Sequence, residues 1–238
     1  MHHQHPIERA TRPIPLDLGT CSAESRLFFG GSFDPPHLGH AALPRAVADR
    51  LGFEQVIYVP AARSPFKDHA PLADHHRLAM LKIALRKHDG WAIWEQELAD
   101  AELNSGEPSY WADTWAIIAQ MKLPGTNRFL IGADQARSMH RWHRYTEFWR
   151  DAVVMLRDEL HSIDGLLIEL SKRNVWSKND LEHWREQVIC IPTLDASSTA
   201  IRKALADPST RSQPIEGLDA RVQSYIIEFK LYDHPKIS

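Results

Sequence analysis

Two histidines, His37 and His40, flank Gly39 shortly after a glycine pair, Gly30-Gly31. Residues three apart on a helical turn share one face. Both imidazoles can therefore donate to two oxygens of one polyphosphate, and Gly39 keeps that face open. The glycine pair lets the backbone turn sharply and approach a ligand closely. A helix beginning near Leu38 adds unpaired N–H groups and a positive dipole end, both suited to phosphate. Such a site serves reactions in which negative charge builds on a transferring phosphoryl group. Two imidazoles without a nearby third ligand make a poor zinc site. The pattern Gly-x-Gly-x-x-Gly is absent, which argues against a dinucleotide-binding dehydrogenase.

A second candidate runs Asp195-Ala196-Ser197-Ser198-Thr199-Ala200-Ile201-Arg202. Ser197 or Ser198 reads as the N-cap of a helix. Hydroxyls and free N–H groups at that end can hold phosphate. Arg202, one turn in, carries a fixed, charged fork.

These residues need strands and helices to position them. Apolar runs predict strands at 26–29, 55–59, 91–94, 128–131, 152–156 and 188–191. Periodic patterns predict helices at 38–51, 74–86, 111–121, 198–205 and 218–229, and a helical stretch after Gly132-Ala133-Asp134. Pro44 falls inside the first helix, where it can kink it. The interval 157–187 predicts one or two extra helices. Six short strands separated by helices argue for an α/β fold, a Rossmann-like parallel sheet with helices on both faces. Ligands in such sheets sit beyond the carboxyl ends of the strands. The loops after Phe29, Val59, Ile131 and Ile191 are the places to look.

The chain has 238 residues, 43% hydrophobic and 25% charged. That is enough for one domain with a sizeable core. Residues 1–25 read as a flexible N-terminal extension, and 26–238 as a single domain. The formal charge of -3 offers no basic field for nucleic acid, so phosphate binding must be local. Cys21 and Cys190 read as free thiols in a reducing cytosol. No apolar run approaches the ~18 residues of a membrane span. No signal pattern opens the chain, and a cytoplasmic location without membrane contact is expected. Oligomeric state leaves no mark in the sequence.

The stretch Gly30-Gly31-Ser32-Phe33-Asp34-Pro35-Pro36-His37-Leu38-Gly39-His40 resembles the His-x-Gly-His signature of the nucleotidyltransferase superfamily, which class I aminoacyl-tRNA synthetases share. The leading Gly-Gly-Ser-Phe-Asp-Pro narrows the resemblance to small adenylyltransferases. The segment Ala196 to Arg202 resembles Ile-Ser-Ser-Thr-x-Ile-Arg, a hallmark of nicotinate-nucleotide adenylyltransferases, with Ala196 replacing the leading Ile. The synthetase motif Lys-Met-Ser-Lys-Ser does not occur. About 160 residues separate the two signatures, a spacing similar to the family's.

The residues between extend the resemblance to about 26–232. Val59-Pro60 through Lys67 is similar to a Val-Pro…Pro-Pro-His-Lys loop; Lys67 matches, while Ser64 and Phe66 replace the proline and the histidine. Asp74 to Leu81, with Arg77, resembles a helix beside that loop. Tyr110 and Thr114 match a Tyr-Thr-x-x-Thr-Leu element near the nicotinate pocket, with Trp111 replacing the first Thr. Gly132-Ala133-Asp134 and Trp142 resemble a Gly-x-Asp…Trp pattern. A carboxylate just past a strand end can accept from ribose hydroxyls, and an aromatic ring can stack on a pyridine. Trp149 is a second stacking candidate after Trp142.

The resemblance implies transfer of the adenylyl group of ATP to nicotinate mononucleotide, giving deamido-NAD and pyrophosphate. It implies that Gly30, Gly31, Ser32, Phe33, Gly39, Ser197, Ser198 and Thr199 bind ATP. His37, His40 and Arg202 would be catalytic. Lys67, Tyr110, Thr114, Gly132, Asp134 and Trp142 would bind the mononucleotide. Mg²⁺ is expected to arrive on the ATP phosphates, with Asp34 reaching it through water, because no carboxylate cluster suggests a protein-built cage. The alternatives are the same chemistry on nicotinamide mononucleotide or phosphopantetheine, or a regulatory module that binds nucleotide without catalysis.

Overall fold

The computed structural model describes residues 13–16, 23–63, 71–104, 109–157, 162–192 and 194–233. Six parallel strands form one sheet: β1 (Ser25–Gly31), β2 (Gln55–Pro60), β3 (Trp91–Ile93), β4 (Thr126–Gly132), β5 (Ala152–Leu156) and β6 (Val188–Cys190). Their order is β3-β2-β1-β4-β5-β6. β1 thus pairs with β2 on one side and β4 on the other. The order reverses between β1 and β4, and the crevice beyond the carboxyl ends of those two strands is where such sheets bind ligands.

Neighbouring strand residues point to opposite faces, and both faces are covered. Leu27 and Phe29 join Val47, Tyr58 and Leu81 in one core. Phe28 joins Trp94, Trp115 and Phe129 in the other. The helices that cover them include α1 (Leu38–Leu51), α2 (Asp74–Leu85), α3 (Gln96–Leu103), α4 (Trp111–Gln120) and the short α5 (Ala133–Ser138). α6 (Ile163–Ser171) and α7 (Lys178–Gln187) fill the interval expected to hold extra helices. α8 (Ser198–Ala206) and α9 (Ala220–Glu228) follow. Met80 of α2 packs there with Ile201 and Leu205 of α8 and Val222 and Ile226 of α9 in a third core.

The expected α/β fold is the observed one. The strand expected at 26–29 runs from Ser25 to Gly31, so the glycine pair closes the strand rather than following it. α3 was not expected. Its sequence Gln-Glu-Leu-Ala-Asp-Ala-Glu-Leu carries little apolar periodicity, and Gln96 and Glu97 are buried through polar contacts. Ile14 and Leu16, within the expected extension, pack against the sheet's core. The Ile14 N–H donates to Gln96 Oε1 at 2.8 Å, and Trp94 Nε1 donates to the Ile14 carbonyl at 3.2 Å. Cys190 is an exposed free thiol, and Cys21 lies outside the described residues. Among the described residues, no helix is long and apolar enough to cross a membrane.

Candidate active site

β1 ends at Gly31, and a short loop leads to α1. His37 is the N-cap of that helix, with extended backbone (φ -132°, ψ 171°). Its Nδ1 accepts from the His40 N–H at 3.3 Å, and His40 Nδ1 accepts from the His37 N–H at the same distance. The two side chains therefore satisfy each other's backbone donors as a capping box does. Their rings stack, with centroids 3.6 Å apart and planes 20° apart. An Nδ1 that accepts carries no proton, which leaves Nε2 of each ring as its N–H donor. Burial, reinforced by the Arg157 guanidinium, lowers the His37 titration to about 4. His37 is thus a neutral donor at physiological pH.

The glycines have local reasons. A Cβ on Gly30 would lie 2.9 Å from the Trp111 ring, and one on Gly31 would lie 2.9 Å from the Phe33 ring. A Cβ on Gly39 would crowd the His37 ring at 3.1 Å. The first N–H of α1 is not open to a ligand. Leu38 N donates to the Gly217 carbonyl at 2.8 Å.

A cavity of about 540 Å³ opens at the β1/β4 crevice. Gly30, Gly31, Ser32, His37, Gly39 and His40 line one side. Tyr110, Gly132, Asp134 and Trp142 also line it, so the structure brings these ten expected residues together. Trp142 lies near Phe148, with ring centroids 6.4 Å apart. Trp149 is buried among Trp176 and Trp184 and takes no part in the lining.

Other expected residues stand behind the wall. Phe33 is 1% exposed, and its ring meets His40 edge-on at 5.2 Å. Thr114 is buried and donates to Glu97 Oε1 at 3.1 Å. The second signature is docked on the first. Ser198 Oγ donates to the Pro35 carbonyl at 2.9 Å, and Arg202 Nη1 donates to the Asp34 carbonyl at 2.6 Å. Ser197 caps α8, and Thr199 Oγ1 accepts from Arg202 Nη2 at 3.3 Å. Lys67, with Ser64 and Phe66, lies outside the described residues.

The Asp34 carboxylate is engaged by protein donors, Tyr232 Oη at 2.5 Å and Leu72 N at 3.3 Å. Among the described residues, no group of three or more His, Cys, Asp or Glu could hold a metal ion.

Several lining residues escaped the sequence reading, among them Glu97, Gln135, Arg141, His143 and Arg157. Arg157 directly follows β5, so the carboxyl-end rule applied to the fifth strand would have found it. Glu97 is 5% exposed, and Ser109 Oγ donates to its Oε2 at 2.5 Å. Burial raises its carboxyl to about 7 against the pull of the Ser109 and Thr114 hydroxyls. Glu97 lies on the helix that the sequence did not reveal, and nothing in its neighbourhood announced it.

The cytidylyltransferase-like family matches residues 28–204. A probable nicotinate-nucleotide adenylyltransferase from Methylibium petroleiphilum is 31% identical over 87% of this chain and 92% of its own. Another, from Hydrogenobaculum, is 31% identical over 75% and 84%. The chain also superposes on the Plasmodium falciparum nicotinic acid mononucleotide adenylyltransferase complexed with APC, with a TM-score of 0.64. That match has 16% identity and covers 89% of this chain and 98% of the other.

Proposed function

Since the chain belongs to the nicotinate-nucleotide adenylyltransferases of the cytidylyltransferase-like family, we propose that it transfers the adenylyl group of ATP to nicotinate mononucleotide. One observation supports this most: the paired imidazoles of His37 and His40, each held at Nδ1 by the other's backbone N–H, border a cavity that Tyr110 and Trp142 also line. A phosphate oxygen of the mononucleotide attacks the α-phosphorus of ATP. The bond to the bridging oxygen breaks, and pyrophosphate leaves. No covalent enzyme intermediate is needed. The chain orients two anions and stabilises charge on the departing pyrophosphate.

His37 and His40 are the donors to those oxygens. Arg202, held one turn into α8, faces the same loop and adds positive charge. Gly30, Gly31, Ser32, Gly39 and the start of α8 (Ser197, Ser198, Thr199) shape the ATP side, and Phe33 packs behind it. Tyr110, Gly132, Asp134 and Trp142 shape the mononucleotide side, with Thr114 behind them; Lys67 is assigned to the same ligand by the motif it matches. Mg²⁺ bound to the ATP phosphates supplies charge neutralisation.

The test mixes the protein, ATP and Mg²⁺ with nicotinate mononucleotide, nicotinamide mononucleotide or phosphopantetheine, and measures pyrophosphate. Release with nicotinate mononucleotide is expected. His40→Ala is expected to lower turnover by about 10²–10³, the cost of removing one preorganised donor. ATP binding without pyrophosphate from any acceptor would overturn the reading.

A further inference from the structure

We propose that Tyr58 is a positioning residue for His40, its hydroxyl standing in for the backbone donor that Pro44 lacks. This rests on the functional reading above. Pro44 lies within α1. In an α-helix the N–H of residue 44 would bond the carbonyl of residue 40. Proline has no N–H, and its ring crowds that same carbonyl. That acceptor belongs to His40, at a part-buried position where a carbonyl still needs a donor.

Tyr58 fills the gap. It is 1% exposed, on β2 beside Phe29 of β1. Its hydroxyl donates to the His40 carbonyl at 3.1 Å and lies 3.4 Å from the Ala41 carbonyl. Burial pushes its phenol titration well up, so it remains a donor. The Tyr58 ring also packs edge-on against Phe29 and Phe33, with centroids 6.0 and 5.9 Å apart. Phe33 in turn meets the His40 ring. The sheet thus grips the first turn of α1 at one backbone atom, that of the residue whose imidazole stacks on His37. Break in the helix ladder and tyrosine hydroxyl form one device, which sets the ring's height over the cavity.

The experiment is a double-mutant cycle. Tyr58→Phe keeps the ring and removes only the donor. We expect kcat to fall on the order of tenfold, the kinetic equivalent of one ordinary hydrogen bond, with KM for ATP little changed. Pro44→Ala restores a backbone N–H to the His40 carbonyl and is expected to turn over like the unaltered chain. In the double variant Tyr58→Phe/Pro44→Ala, kcat should recover most of the loss. A purely structural hydroxyl would not show this rescue.

Unchanged kcat in Tyr58→Phe overturns the proposal, as does a loss that Pro44→Ala leaves in place. A Tyr58→Phe chain that fails to fold is judged through the double variant: restored folding without restored kcat also overturns it. Absence of pyrophosphate from the unaltered chain with every acceptor overturns the functional reading, and this inference falls with it. Turnover by the unaltered chain with an indifferent Tyr58→Phe overturns the positioning role alone.

Discussion

The Tyr232 hydroxyl donates to Asp34 Oδ1 at 2.5 Å, joining the last described turn of the chain to the loop before His37. Leu72 N–H occupies the other carboxylate oxygen, and Arg202 occupies the Asp34 carbonyl. Segments far apart in sequence thus converge on one residue of the first signature. Burial, and after it the same carboxylate, pushes the Tyr232 phenol titration up, which keeps it a donor.

Tyr232→Phe should therefore act at a distance. Hydrogen bonds to charged groups contribute about 1.5–3 kcal/mol. A loss near 2 kcal/mol is expected as a lower urea midpoint with an unchanged slope. Turnover should fall as well, because Arg202 leans on the same loop. An unchanged midpoint would show that the contact is incidental.

Gly217 ties the C-terminal helices to α1. Its φ of +76° is left-handed, and its carbonyl accepts from the first N–H of α1. A Cβ there would lie 2.8 Å from Ala196 Cβ and 3.0 Å from the Asp195 carbonyl. Gly217→Ala combines a left-handed penalty of about 1–2 kcal/mol with that clash. Denaturation should show at least that loss, and KM for ATP should rise because both signature helices are disturbed. Wild-type values for both would remove Gly217 from the site's support.

The sequence revealed those parts of the molecule in which local chemistry and fold agree. α1 and β5 have the expected bounds, because a run of helical pattern and an unbroken apolar run are local signals. The two histidines were readable as a pair sharing a face. Their reciprocal capping was not, since imidazoles are not usual caps. Tyr58, Gly217 and Tyr232 act across the fold through single oxygens, and no periodicity reports such contacts. Glu97 was hidden because α3 owes its burial to polar partners. The two signatures are legible as parts of one site, but the contacts that join them, from Ser198 and Arg202 to the Pro35 and Asp34 carbonyls, leave no mark in the sequence.

His37 makes folding sensitive to acid. Its titration falls from 6.5 in the free side chain to about 4, through burial and then Arg157. The unfolded chain binds the extra proton between these values, so stability falls as pH drops through that window and is unpenalised above 6.5. The penalty reaches about 3 kcal/mol at its limit. His37→Asn keeps a good N-cap and removes the titration. Its midpoint relative to the unaltered chain should improve between pH 6.5 and 4.5. A constant difference would mean that His37 titrates normally.

Glu97 works in the opposite direction. Burial raises its carboxyl from 4.5 to about 7, with Asp100 adding to the rise and Ser109, Thr114 and Arg77 opposing it. Here the folded chain holds the proton more tightly. Its contribution is fully present below 4.5 and is lost as pH rises through about 7, by about 3 kcal/mol at most. The contributions of the two groups therefore oppose each other across the same range. Glu97→Gln keeps an acceptor for one of the Ser109 and Thr114 hydroxyls and offers an N–H donor to the other, without a charge to bury. It should be more stable than the unaltered chain at pH 8 and gain nothing at pH 4.5. Urea midpoints at those two pH values decide the matter: an equal shift at both would place the effect in packing rather than in the proton.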